Sequence, residues 1–336
     1  MRTYLSKRLL MMIPTLLGIT IVTFLVVQLA PGNPAEIKIR AAQGEGLDPQ
    51  YTAEIIEQTK KLYGLDKPLH LRYWIWLKQV VTFNFGCSYK DHRPVTEKIL
   101  ERVPISLQLS FISIFLVYLF SVPIGVFSAV KQGSAWDQAL TVMLFILYSL
   151  PNFWVAMMLI YLLGGGDFLQ WFPVFGLNSE GADALGFFGW LKDRIWHLVL
   201  PVTCLTYGGL AYISRQQRAG MLEVIRQDYV RTARAKGISE RAVVFKHALR
   251  NAVIPIVTLL AALLPAMLGG SVIVESIFSI PGMGKLAFES ILARDYPVIM
   301  GVLTISAMLT LIGILLADIA YTLVDPRISF EALEKK

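Results

Sequence analysis

This chain of 336 residues is poor in charge. Asp, Glu, Lys and Arg make up 16% of it, against 55% hydrophobic residues. A soluble domain carries about 25% charged and about 45–50% apolar residues, so the deficit excludes an ordinary water-soluble enzyme and a disordered chain. Cysteine is nearly absent. Cys87 and Cys204 are the only two, too few for a disulfide scaffold or a cysteine-rich zinc site. The four histidines, His70, His92, His197 and His247, have no metal spacing such as H-E-x-x-H, and no metal site is expected. There is no G-x-x-x-x-G-K-[ST] phosphate loop. The single run of three glycines, Gly164-Gly165-Gly166, has no lysine behind it and reads as a helix stop. No Ser-His-Asp or paired-acid constellation emerges either. The chain is not expected to be an enzyme or to hold a cofactor of its own. Its net charge of +7 would fit nucleic acid in a polar chain, but here it is read by position, as a topology signal.

What the sequence does have is long uncharged runs. A charge at mid-bilayer costs about 2.5–3.5 kcal/mol on insertion scales, and a helix needs about 20 apolar residues to cross the hydrocarbon core. Six gaps between charged residues are long enough: Arg8 to Glu36, Arg102 to Lys131, Asp137 to Asp167, Arg194 to Arg215, Arg250 to Glu275 and Asp295 to Asp318. They predict an all-α, polytopic membrane protein with six transmembrane helices near 9–29, 106–129, 139–163, 196–214, 253–274 and 299–323. The first span has a basic start like a signal peptide. Its apolar run is long enough to cross, however, and Leu29-Ala30 is followed by Pro31, a poor cleavage context, so it reads as a retained anchor.

Lys and Arg set the orientation. With the N-terminus inside, the inner segments hold Arg2, Lys7 and Arg8, then Lys131, nine residues from Arg215 to Arg250, and Arg327, Lys335 and Lys336. The short outer loops hold only Lys192, Arg194, Lys285 and Arg294. Both termini are therefore expected in the cytoplasm. The chain divides into a tail and first span (1–30), an extracytoplasmic segment (31–102) and a transmembrane domain (103–330) carrying a basic loop, 215–250. In the outer segment, Asp48-Pro49 reads as a helix start over 49–63, stopped at Gly64. Leu69 to Phe83, with Trp74 and Trp76, is amphipathic and suits a membrane interface.

The loop 215–250 is strongly basic and free of proline. Gln227 to Lys236 reads as a helix ending at Gly237, and Ser239 to Leu249 as a second helix with Ser239 as its cap. Two helices around a glycine turn outside the bilayer make a shape that plugs into a partner. A basic loop held against anionic lipid is the plainer reading, but lipid attraction does not need small residues and a glycine at set spacing.

At these residues the sequence resembles the membrane subunits of bacterial ABC importers, whose cytoplasmic signature is Glu-Ala-Ala, three residues, Gly, nine residues, then Ile-x-Leu-Pro. The aligned positions are Arg231-Thr232-Ala233, Gly237 and His247-Ala248-Leu249-Arg250. The second Ala, the Gly and the Leu match, and the Glu, first Ala, Ile and Pro do not. "RTARAKG" followed by "HALRNAVIP" is similar to the dipeptide, oligopeptide and nickel permease family. So are "RLLMMIPTLLGITIVTFLVVQLAPGNP", "YGLDKPL", "FNFG", "VPIGVFSAVKQGSAWD", "SIPGMGKLAFESILARDYPV" and "DPRI". "GGGDFLQWFPVFGL" and "YTLVDPRISFE" look closest to the oligopeptide subgroup that also imports microcin C-type peptide antibiotics.

The resemblance implies a type I ABC importer transmembrane fold in the bacterial inner membrane. It implies a coupling helix that passes ATP-driven closure from a cytoplasmic ATPase to the bundle, carried here by Asp228, Tyr229, Arg231, Thr232, Ala233, Ala235, Lys236, Gly237 and Ile238. Ala233 and Ala235 would keep the contact surface small. Arg231 stands where the family has Glu, and Asp228 or Glu223 is the candidate substitute. ATP and Mg would be bound by two partner ATPase subunits. A second, homologous permease and an extracytoplasmic peptide-binding protein complete the expected partners, with membrane lipid around them and no nucleic acid. Thr258, Ser271 and Glu275 are weak candidates for the pathway wall. Asp318 is the one carboxylate well inside an apolar run, either functional or paired near the cytoplasmic end. His197 reads as an interfacial residue. Pro14, Pro123, Pro151, Pro201, Pro255 and Pro265 permit kinks. Nickel import by the same architecture is the alternative within the family. An ion-gradient secondary transporter is the alternative outside it, and it would need buried charge at mid-span.

Overall fold

The computed structural model describes residues 2–29, 66–165, 168–263 and 270–324. The expected helix over 49–63 and Pro265 lie outside them. In chain order the helices are α1 (Arg2–Leu29), α2 (Leu69–Val81), α3 (Val95–Val130), α4 (Ala135–Ser149), α5 (Asn152–Leu163), α6 (Gly186–Ile225), α7 (Asp228–Ala235), α8 (Ile254–Leu263), α9 (Val272–Ile277), α10 (Met283–Leu292) and α11 (Tyr296–Val324). Between α7 and α8 runs a return arm of three contiguous pieces: Glu240–Ala242, a π-helical turn Val243–Ala248, and Leu249–Ala252. Among the described residues there is no β-strand, only the isolated bridges Cys87–Pro94 and Gly164–Gln170.

Among the described residues, four segments are long and apolar enough to cross a membrane: Ser6–Leu29, Val95–Val130, Ala182–Ile225 and Tyr296–Ile319. The expected span 139–163 is instead a bent pair, α4 and α5, meeting at 101°. Pro151 explains the break. It lacks an N–H and forces the residue before it out of helical geometry, and Leu150 is extended at φ −76°, ψ 130°. Pro14 and Pro201, by contrast, sit inside unbroken helices. The expected span 253–274 has α8 and α9 at its two ends and residues 264–269 outside the description. α3 has 36 residues and α6 has 40, so each is about 54–60 Å long. Both overrun a hydrocarbon core of about 30 Å, which places their charged ends beyond it.

The chain forms two compact units, one drawn from Met1–Pro104 and Met283–Leu311, the other from Ile105–Gly282 and Ile312–Lys336. In the first, the aromatic face of α2 packs on α1. Trp76 is buried and stacks on Phe24 at 5.9 Å, and Tyr73 meets the same ring edge-on at 5.4 Å. Thr20 and Tyr73 share a hydrogen bond of 3.1 Å, and Arg72 donates to Gln28. Trp74 points away and is 58% exposed, as an amphipathic helix requires. The loop after α2 is held by Asp295, which accepts from the Ser88 hydroxyl and, at 2.9 Å, from the Tyr89 amide. In the same loop, burial would raise the Asp91 carboxyl. The Lys98 ammonium at 2.6 Å, with Ser88 and the Arg93 amide, outweighs that and holds it at about 2.

In the second unit α3 and α6 approach closely. Ser121 donates to the Leu210 carbonyl at 3.1 Å. A Cβ on Gly125 would stand 2.6 Å from Gln217 Cβ and 2.7 Å from the Ser214 carbonyl, so only glycine fits this crossing. Leu109, Leu200, Cys204, Phe278 and Ile280 form a separate core around α9.

Candidate functional site

Only Arg226 and Gln227 separate α6 from α7, so the long helix feeds almost directly into the short one. Asp228 in the first turn of α7 suits the positive end of the helix dipole. The far end closes as a Schellman motif. The Ile238 amide donates to the Ala233 carbonyl at 3.4 Å and the Gly237 amide to the Arg234 carbonyl at 2.9 Å, with Gly237 at φ +74° and Ile238 packed over Ala233. A Cβ on Gly237 would meet nothing within 4 Å. Backbone conformation, not space, therefore selects glycine here.

α7 is braced on three sides. Val230, Ala233 and Val243 are buried beneath it, with Val224 at the end of α6 and Ile238 packed against them. Arg234 grips Glu240 across the glycine turn, Nε at 3.1 Å and Nη2 at 2.7 Å. That guanidinium holds the Glu240 carboxyl below its ordinary range. Asn251 in the return arm donates to the Tyr229 hydroxyl at 2.7 Å. The hairpin is thus a packed body with its own small core.

Its outward face presents Asp228, Tyr229, Arg231, Thr232, Ala235, Lys236 and Gly237, all exposed. Arg231 lies 3.5 Å from Asp228, with side chains 70% and 96% exposed, a screened contact of small energy. The face carries Arg231 and Lys236 against the one carboxylate of Asp228. Three expectations need correction. Ala233 is buried in the hairpin core, not on the contact surface. Ser239 occupies the cap position, but its side chain makes no capping bond. The second arm is not one regular helix, because the chain winds into the π-turn over Val243–Ala248.

The expected pathway residues group differently. Thr258 lies in α8, and its side chain is outside the description. The Ser271 hydroxyl accepts from the Val274 amide at 3.4 Å and so caps α9. Glu275 is 1% exposed. It accepts from the Ser106 hydroxyl at 2.9 Å and from the Ser271 amide at 3.1 Å, and a Cβ on Gly282 would lie 2.3 Å from its Cδ. Ser271 and Glu275 therefore build one buried helix start. Asp318 is half-buried in α11. His197 is buried, its Nδ1 donating to the Asp193 carbonyl at 2.9 Å.

Residues 121–330 match the family described as "Binding-protein-dependent transport system inner membrane component", and residues 1–110 match its N-terminal companion family. The chain belongs to this family. With its long apolar helices it is a multi-pass membrane component of a binding-protein-dependent transport system. It is 42% identical, over 98% of its length and 100% of the relative, to the oligopeptide transport system permease protein AppB of Bacillus subtilis (strain 168). It is 36% identical, over 98% of its length and 100% of the relative, to the inner membrane ABC transporter permease protein YejB of Escherichia coli O157:H7. It is 35% identical, at the same coverage, to the dipeptide transport system permease protein DppB of Alkalihalophilus pseudofirmus. The solved MetNI methionine ABC transporter, in inward facing conformations, shares its fold at a TM-score of 0.51 and 19% identity, over 68% of this chain and 96% of that one.

One polar cluster of this permease was missed by sequence reasoning, although Ser128 and Asp137 both lie in the stretch VPIGVFSAVKQGSAWD. Asp137 at the start of α4 is 3% exposed and takes a two-pronged grip from Arg218 of α6. The two lie 81 residues apart, and nothing in the sequence pairs them.

Proposed function

We propose that the chain is the permease half of an ATP-driven importer for peptides, contributing six transmembrane helices of a type I fold to a shared translocation pathway. The observation that carries this reading is the near-full-length relationship to proteins named for oligopeptide and dipeptide transport. The hairpin supports it. An exposed basic knob whose underside is packed and stapled transmits force without collapsing. In this reading α7 is the coupling helix and sits in an acidic groove of a cytoplasmic ATPase. Two such ATPase subunits bind ATP and Mg. Asp228 and Arg231 offer one charge of each sign to that groove, and Gly237 lets the chain turn away close to it. A second, homologous permease supplies the other half, and an extracytoplasmic peptide-binding protein delivers the cargo. The protein lies in the bacterial inner membrane with both termini and the hairpin on the cytoplasmic side.

Reconstituted vesicles holding both permeases, the ATPases and the binding protein test this. The expected result is uptake of labelled peptide that needs ATP, competes with unlabelled peptides of a preferred length and ignores nickel. Uptake that runs on an ion gradient with the ATPases omitted would overturn it.

A further inference from the structure

We propose that Arg218 and Asp137 are positioning residues that make α4 travel with α6, so that displacement of α7 reaches the bent pair of α4 and α5. This inference rests on reading α7 as the ATPase-docking helix.

Asp137 is the third residue after the cap Ser134, where an acidic side chain ordinarily serves only its own helix start. It does that here, accepting from the Gly133 amide at 3.0 Å, while its own amide donates to Ser134 Oγ at 3.3 Å. A helix start needs no more. Yet the carboxylate also accepts from the Ser128 hydroxyl of α3, from Arg218 Nε at 2.8 Å and from Arg218 Nη2 at 2.8 Å. Both carboxylate oxygens are thereby committed to another helix, in a part-buried, charge-assisted fork that fixes direction as well as distance.

The fork is one of three ties along the same pair of helices. Arg215 lies over the Phe145 ring at 4.1 Å, and the Tyr207 hydroxyl donates to the Leu150 carbonyl at 2.8 Å. The last tie lands on the bend itself, one residue before Pro151. The fork sits two turns before α6 ends at Ile225, and two residues then lead into α7. Val224, on the last turn of α6, packs beneath α7. A movement imposed on α7 thus has a continuous route of side-chain contacts through α6 to both ends of α4.

Spin labels at Thr232→Cys on α7 and Ala139→Cys on α4, with Cys87 and Cys204 replaced by Ser, test this in the assembled transporter with ATPases and binding protein. In the native chain the distance between the labels is expected to be the same without nucleotide and with ATP trapped. In R218Q it is expected to change between those states, and peptide taken up per ATP hydrolysed falls about three- to thirtyfold. R218K, which keeps the charge but cannot fork, carries the test if R218Q does not assemble. A fixed distance and an unchanged uptake ratio in the variants would overturn the inference, as would a native distance that changes with nucleotide. A parallel loss of assembly, hydrolysis and uptake with the ratio preserved in both variants would also overturn it. Native vesicles with no ATP-driven uptake would instead remove the functional reading, and the inference with it.

Discussion

Gly237 shows how far one residue can be argued from chemistry alone. Its left-handed backbone closes α7, yet the space around it is open, so a substitution is strained without clashing. Gly237→Ala is expected to cost about 1–2 kcal/mol and to speed hydrogen exchange at the Ile238 amide. Gly237→Asn, which tolerates that conformation better, is expected to lie between. Equal exchange in all three chains would contradict the motif. The Arg234–Glu240 pair across the same turn yields a pH prediction. Because folded Glu240 titrates below its ordinary value of 4.5, the pair contributes fully above that pH and fades as the pH falls through the folded value. Both side chains are partly exposed, at 38% and 58%, so the contribution is under about 1 kcal/mol. Glu240→Gln is expected to lower protection of the Gly237 amide at neutral pH, and the difference from the native chain should vanish in acid. The glycine was legible in the sequence because αL closure is local chemistry. The burial of Ala233 was not, since it depends on Val243 returning beneath it.

At the scale of elements, helix crossings set the tolerance of the bundle. Gly125 of α3 leaves no room for a methyl group against α6, whereas Gly208 of α6 has nothing within 4 Å. Gly125→Ala is expected to destabilise by about 1–3 kcal/mol through overpacking. Gly208→Ala is expected to be neutral or to gain up to about 1 kcal/mol from helix propensity. Thermal unfolding of the detergent-solubilised protein separates them, and equal midpoints would contradict the crossing. Charge gaps located α1, α3, α6 and α11, because burying a charge in lipid is costly wherever it occurs. They could not measure the bend at Pro151. A proline allows anything from a mild kink to a full break, and neighbours such as Tyr207, holding the Leu150 carbonyl, take part in the choice. The π-turn in the return arm was equally silent, since an alignment of residue types carries no hydrogen-bond register.

At the scale of the molecule, the family was readable because its motifs run along most of the chain, and family matches at 1–110 and 121–330 agree. The Asp137–Arg218 fork was not readable, because its partners meet only through the fold. The central claim is that α7 docks on a cytoplasmic ATPase, and its exposed Thr232 is the direct probe. A photoreactive side chain placed at position 232 in membranes containing the whole transporter is expected to cross-link to the ATPase subunit, more strongly than one at buried Val230. Adducts to lipid alone, or labelling of position 232 by a reagent confined to the outer side, would contradict the account.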